Sequence, residues 1–237
     1  MVELRGRYVF LLFLLLVAAC DNSEDVVEPI ASTEFAACNQ ELSACNAGSG
    51  AYCLFGFKWG MNNPFSNPGF DKEGPQSPVA GITFSFQNEG TLLNTHRQIQ
   101  APSQPFDNTL SCARTEVRRA MDAWATTANI SFQEMPEDSD SQIRFYVADI
   151  QQSGVGYPNY FAGRCTSLSG QIVMQPNTRF NTCETFYKFM LHEIGHTLGL
   201  GHVDSPNVMN PSFDALNAIE APQEGDRAGM VALYGTP

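Results

Sequence analysis

From residue 79 onward the chain sets apolar and polar side chains in short regular runs, and the period of each run predicts an element. ITFSF (82–86) changes sides at every residue, as a strand with one face in a core does. After Ser111, CARTEVRRAMDAWATTANI spaces Val117, Met121, Trp124 and Ala128 three or four residues apart, which is one buried face of a helix. SFQEM and QIRFYVADI read as two more strands joined by the acidic turn PEDSDS, and GQIVMQP as another after a loop rich in Gly and Tyr. A second helix is expected from Asn181, which can cap it, with Glu184 placed to complete a capping box. A final short helix is expected over 226–233. The order β-α-β-β-β-α plus that helix predicts one mixed α/β (α+β) domain over residues 79–237.

Upstream the pattern fades. Residues 20–78 are rich in Asn, Gly, Pro and Ser and hold Cys38, Cys45 and Cys53, which suggests a tether and a loop-rich segment pinned by disulfides. Phe55, Phe57, Trp59 and Phe65 make it too aromatic for a free linker, so part of it is expected to pack. Residues 1–19 differ again. Arg5 and Arg7 precede YVFLLFLLLVAA, an apolar run shorter than the roughly 20 residues that span a bilayer and laid out as an export signal.

A length of 237 residues fits one sizeable domain with extra sequence. The net charge of −12 argues against nucleic acid as a partner, because nothing here could neutralise phosphates. Six cysteines besides Cys20 form an even set, which in an exported chain reads as disulfides. Cys165 and Cys183 flank the GQIVMQP strand and are expected to pair. Cys112 would then hold one of Cys38, Cys45 and Cys53.

The chain has four histidines, and three of them fall in HEIGHTLGLGH (192–202). His192 and His196 stand one helical turn apart and face the same way, on the edge of an apolar face formed by Phe186, Phe189, Met190, Ile194 and Leu198. Gly199 can end the helix sharply and let the chain bring His202 back to the same point. Three imidazoles with a fourth position left open are what a catalytic zinc needs. Glu193, beside the first ligand, is placed to take a proton from a water there and later deliver it to a leaving amine. The bland alternative, three unrelated surface histidines, does not explain this spacing.

HEIGHTLGLGH resembles the extended zinc motif of the metzincin metallopeptidases and, within them, is most similar to the matrixins, the group of the matrix metalloproteinases. The resemblance implies a metzincin-like catalytic domain: a twisted mixed sheet with an active-site helix and a C-terminal helix. It assigns Met209, in SPNVMNP, to the Met-turn that floors the zinc site, and Pro211 and Phe213 to the wall of the S1′ pocket. MDAWATTANISFQEM, SQIRFYVADI and GDRAGMVALYG resemble the first helix, two strands and the last helix of that fold. An extended substrate would lie along an edge strand, for which residues 157–162 are the candidate. The chain also departs from the family. Val203 and Asp204 follow the third histidine where matrixins usually have serine, and Pro211 takes the place of the tyrosine that assists catalysis in astacins. His96 alone cannot build the second zinc site of the animal enzymes. Asp138, Asp140 and Asp149 are candidate calcium ligands. The family's pro-segment cysteine motif has no match, and disulfides are the expected fate of Cys38, Cys45 and Cys53.

VAAC (17–20) resembles the lipobox of bacterial lipoproteins, which implies a lipid on Cys20; an ordinary signal peptide that happens to precede a cysteine is the alternative. The reading is a monomeric zinc endopeptidase acting on proteins or peptides. It would be exported and held by an N-terminal lipid on the periplasmic or cell-surface side of a bacterial membrane. The rival is a non-catalytic zinc-binding surface lipoprotein that binds a protein partner, for which Glu193 would have no use.

Overall fold

Trp124 and Leu191 meet at the centre of the molecule, where the indole N–H donates to the leucine carbonyl at 3.0 Å and locks two helices together. This computed structural model describes residues 51–55, 57–59, 79–94, 100–150, 154–159, 169–176 and 182–237. In chain order the elements are β1 (Val79–Phe86), β2 (Leu92–Asn94), β3 (Gln100–Gln104), a single 3₁₀ turn (Phe106–Asn108), α1 (Ala113–Ala125), β4 (Ile130–Glu134), β5 (Ile143–Ala148), β6 (Gly154–Asn159), β7 (Ser169–Met174), α2 (Cys183–Leu198), α3 (Phe213–Leu216) and α4 (Glu224–Tyr234). The expected mixed α/β architecture is what the chain adopts. The predicted strands and helices fall on β1, α1, β4, β5, β7, α2 and α4, with β2, β3 and α3 as additions. β6 lies in the stretch expected to be a loop and meets the candidate edge strand 157–162 only over 157–159, since 160–162 lie outside the described residues.

The sheet runs β4–β1–β5–β7–β6. Its first four strands are parallel and β6 is antiparallel at the edge. β3 continues the β1 side of β5 in the antiparallel sense and carries β2 as a ribbon. Alternation along β5 shows why each layer is needed. Phe145 and Val147 join the main core under α1 and α2, while Tyr146 and Ala148 join Leu93, Ala101, Ile150 and Val173 in a smaller cluster on the other face. A strand buried on both faces loses the strict in-and-out pattern, as QIRFYVADI does.

Residues 51–55 and 57–59 pack into the same core. Phe57 and Trp59 are buried, and Leu54 forms an antiparallel bridge with Leu200. Phe55 N–H donates to the Gly199 carbonyl at 2.8 Å, and Gly201 N–H donates to the Cys53 carbonyl at 2.9 Å. The Trp59 indole donates to Thr197 O at 2.8 Å.

Two local expectations are corrected. α2 is capped by Thr182, whose hydroxyl accepts the Thr185 N–H at 3.2 Å, and not by an Asn181–Glu184 box; Asn181 lies outside the described residues. Cys183 bonds Cys112, with Cα atoms 6.0 Å apart, so the expected Cys165–Cys183 pair and the link from Cys112 to an upstream cysteine do not hold. The cause is the helix pairing. Cys112 immediately precedes α1 and Cys183 opens α2, and the two helices pack with those ends adjacent. Cys53 is disulfide-bonded, to a partner outside the described residues. Cys20, Cys38, Cys45, Cys165, His96 and the 1–19 segment also lie outside them.

Candidate metal centre

α2 is amphipathic only in its first turns. From Phe189 to Leu198 every residue is buried, which seats His192, Glu193 and His196 inside the molecule. The helix stops at Gly199, whose φ of +108° is the left-handed conformation a glycine adopts without strain. The reversed chain then delivers His202, and the three Nε2 atoms stand 3.1 Å from one another.

Protons decide what such a triangle means. His192 Nδ1 lies 2.7 Å from the Val208 carbonyl, and His196 Nδ1 lies 2.9 Å from the Leu200 carbonyl. A carbonyl only accepts, so each Nδ1 carries the proton and each Nε2 presents a lone pair. Burial pushes the His192 imidazole down to about 4, against the Val208 bond, so it is neutral at physiological pH. Burial also lowers His202. Neutral nitrogens converging this closely repel unless a cation shares their lone pairs. Points about 2.0–2.1 Å from all three, the zinc–imidazole distance, lie just off the plane of the triangle. The donor set therefore fits a zinc ion. Among the described residues this is the group of three whose ligand atoms converge. The aspartates considered for calcium are dispersed: Asp138 takes both Asn88 donors, Asp140 pairs with Arg144, and Asp149 accepts from Gln175.

Glu193 is held between α2 and the sheet edge, where its carboxylate accepts the Gly156 N–H of β6. A Cβ on Gly156 would sit 2.4 Å from the Glu193 carbonyl, so this strand approaches the helix only because the position is glycine. Burial pushes the Glu193 carboxyl up to about 8, with the Gly156 bond opposing. A cation at the histidines favours the ionised form. Without one, burial alone lifts the carboxyl into the range a proton carrier uses.

Below the site Met209 is buried against Gly195 of α2. Sequence reasoning missed what holds this turn: Asp226, in the first turn of α4, accepts from Val208 N–H at 2.9 Å, Met209 N–H at 3.3 Å and Gln223 N–H at 2.8 Å. Burial raises its carboxyl and those three donors lower it. Because Val208 O in turn orients His192, Asp226 braces that histidine through the turn. Its only local signal was the capping pattern of Gln223 and Asp226. Phe213 opens α3, half-buried against the core, and Pro211 is exposed just before it. Tyr187 OH and Lys188 Nζ pin the far end of this loop through the carbonyls of Glu220 (3.1 Å) and Asn217 (2.6 Å).

Comparison with known proteins agrees with this geometry. The family model of the Matrixin peptidases (M10) matches residues 95–235. The chain is 31% identical to matrix metalloproteinase-25 of Mus musculus over 162 residues, 58% of this chain and 25% of that protein. It is 29% identical to matrix metalloproteinase-15 of Homo sapiens over 179 residues, 66% of this chain and 24% of that one. To metalloendoproteinase 1 of Glycine max it is 30% identical over 155 residues, 57% of this chain and 48% of the relative. It thus spans a quarter to a half of the length of these relatives. With the matched region covering more than half of the sequence and containing the whole histidine triangle, the chain belongs to the matrixin family of metallopeptidases.

Proposed function

We propose that the protein is a zinc-dependent endopeptidase in which His192, His196 and His202 hold the metal and Glu193 moves the proton. The observation that carries this reading is the lone-pair triangle with an ionisable carboxylate fixed beside it by the sheet edge. Zinc, when bound, supplies a Lewis acid that brings the pKa of water to about 7 and polarises a carbonyl. Glu193 accepts the proton of the attacking water as its oxygen bonds to the peptide carbonyl carbon. When the C–N bond breaks, the same carboxyl gives that proton to the departing nitrogen, so one water is consumed and an acid and an amine are released. Among the described residues no strand pairs with the outer side of β6, an edge to which an extended chain can add by backbone hydrogen bonds. The Gly156–Glu193 contact sets that edge beside the base. Digestion of casein or gelatin with and without a chelator tests the reading. No chelator-sensitive cleavage would favour the non-catalytic partner-binding alternative.

The loop from Pro211 to Phe213 is the proposed wall of the S1′ pocket. Phe213→Ala is expected to change which P1′ side chains are accepted, by about 10–200-fold between a small and a large residue, while total turnover on the best substrate stays within a few-fold. Peptide-library profiling checks this. A collapsed rate with unchanged preference would make Phe213 a core residue instead.

Export and lipid anchoring through Cys20 belong to the same proposal and rest on the VAAC pattern after an apolar run. Cys20→Ser is expected to move the protein from the detergent phase to the aqueous phase without changing its specific activity. Aqueous partitioning of both forms would mean that no lipid is attached.

A further inference from the structure

The stretches 51–55 and 57–59, together a strap, lie upstream of the matched family region, which begins at residue 95. Their backbone pairs with Gly199 and Gly201, in the short connection between the second and third metal-binding histidines. The Phe55 ring stacks on the His196 imidazole, with centroids 5.5 Å apart and planes 25° from parallel. The Asn207 amide, ahead of the turn that carries Met209, donates to the Ala51 carbonyl at 2.7 Å. At the other end Trp59 N–H reaches the Tyr234 hydroxyl at 3.3 Å, and that hydroxyl donates to Leu198 O at 2.7 Å.

The domain is shaped to receive this strap. A Cβ on Gly199 would stand 2.6 Å from Phe57 O, and one on Gly225 would stand 2.1 Å from Ala51 O. Either side chain would push the strap off. Cys53, within the strap, is itself disulfide-bonded.

We propose that the strap is a positioning element of the metal centre, in which Phe55 fixes the ring plane of His196 and the backbone of residues 53–55 fixes the connection that delivers His202. The proposal rests on the reading that the histidines bind zinc. A histidine ligand turns on its Cα–Cβ and Cβ–Cγ bonds, and its bonds at Nδ1 and at the metal still permit small tilts of the ring. A flat ring stacked on one face of His196 restricts that tilting, and strand pairing at Leu200 holds the carbonyl that His196 Nδ1 uses.

The test measures zinc affinity by chelator competition and the visible spectrum of the cobalt(II)-substituted full chain, for wild type, Phe55→Ala, Phe55→Leu and Phe55→Tyr. Phe55→Ala and Phe55→Leu are expected to weaken zinc binding about 10–100-fold, the range for groups that orient a ligand, and to shift the cobalt bands. Phe55→Tyr keeps the flat face and is expected to match wild type. Denaturant unfolding of the metal-free forms separates positioning from general stability, with Phe55→Leu expected close to wild type. Unchanged affinity and spectrum in Phe55→Leu would overturn the proposal, as would equal losses in Phe55→Tyr. So would increased peptidase activity at unchanged zinc affinity, which would make Phe55 an obstruction of the cleft. Failure of wild type to take up zinc would instead overturn the metal reading itself.

Discussion

Glu193→Gln is expected to lower peptide hydrolysis by about 10²–10⁴-fold, the span that general acid–base catalysis supplies, while zinc content and fold stay as in wild type. The substitution is nearly isosteric, and the amide oxygen can still accept the Gly156 N–H, so β6 keeps its place beside α2. What disappears is an oxygen able to take up and release a proton. The loss should appear in kcat and in kcat/KM alike, because the proton transfer belongs to the transition state and not to substrate binding. Hydrolysis of a quenched fluorescent peptide, with zinc measured by atomic absorption on the same sample, is the check. Loss of zinc from this variant would show that Glu193 serves the metal rather than the proton, and near-wild-type turnover would move the base elsewhere.

The second large effect is on stability. Replacing Cys112 and Cys183 together by alanine is expected to cost about 4 kcal/mol, from the loop-closure entropy of two positions 71 residues apart. For a protein of this size that lowers the midpoint of thermal unfolding on the order of 10 °C. The folded state should hardly change, since α1 and α2 remain packed through Val117, Met121, Trp124, Phe186 and Met190. Thermal unfolding of the double variant beside the oxidised parent reads the difference directly. Coincident midpoints would mean that the bond adds nothing, and peptide mapping without reductant should recover Cys112 joined to Cys183.

Much of the site could be read from the sequence because it is local. A helical repeat puts His192 and His196 on one side, and a glycine followed by two residues is enough to return His202. The strands that alternate cleanly, such as β1, were legible for the same reason. β6 was harder: GVGYPN has a strand's position but not its composition, and it is extended because β7 pairs with it. β2 and β3 carry Asn, Gln and Pro and depend likewise on each other and on β5. Asp226 looks like any first-turn carboxylate until the turn above it is placed. The cysteine pairing failed on distance. Neighbours in sequence across one strand seemed natural partners, but helix packing brought together sulfurs that the chain separates by 71 residues.

That bond has a consequence for the proposed peptidase wherever one copy meets another. β4, β5, β6, β7 and the connections between them all lie inside the covalent ring closed by Cys112 and Cys183. A single autolytic cut anywhere in that ring produces no free fragment. The new ends stay linked at effective concentrations on the order of millimolar, and the broken sheet can close again around an intact zinc helix. Survival under self-digestion would then be counted in double cuts rather than single ones.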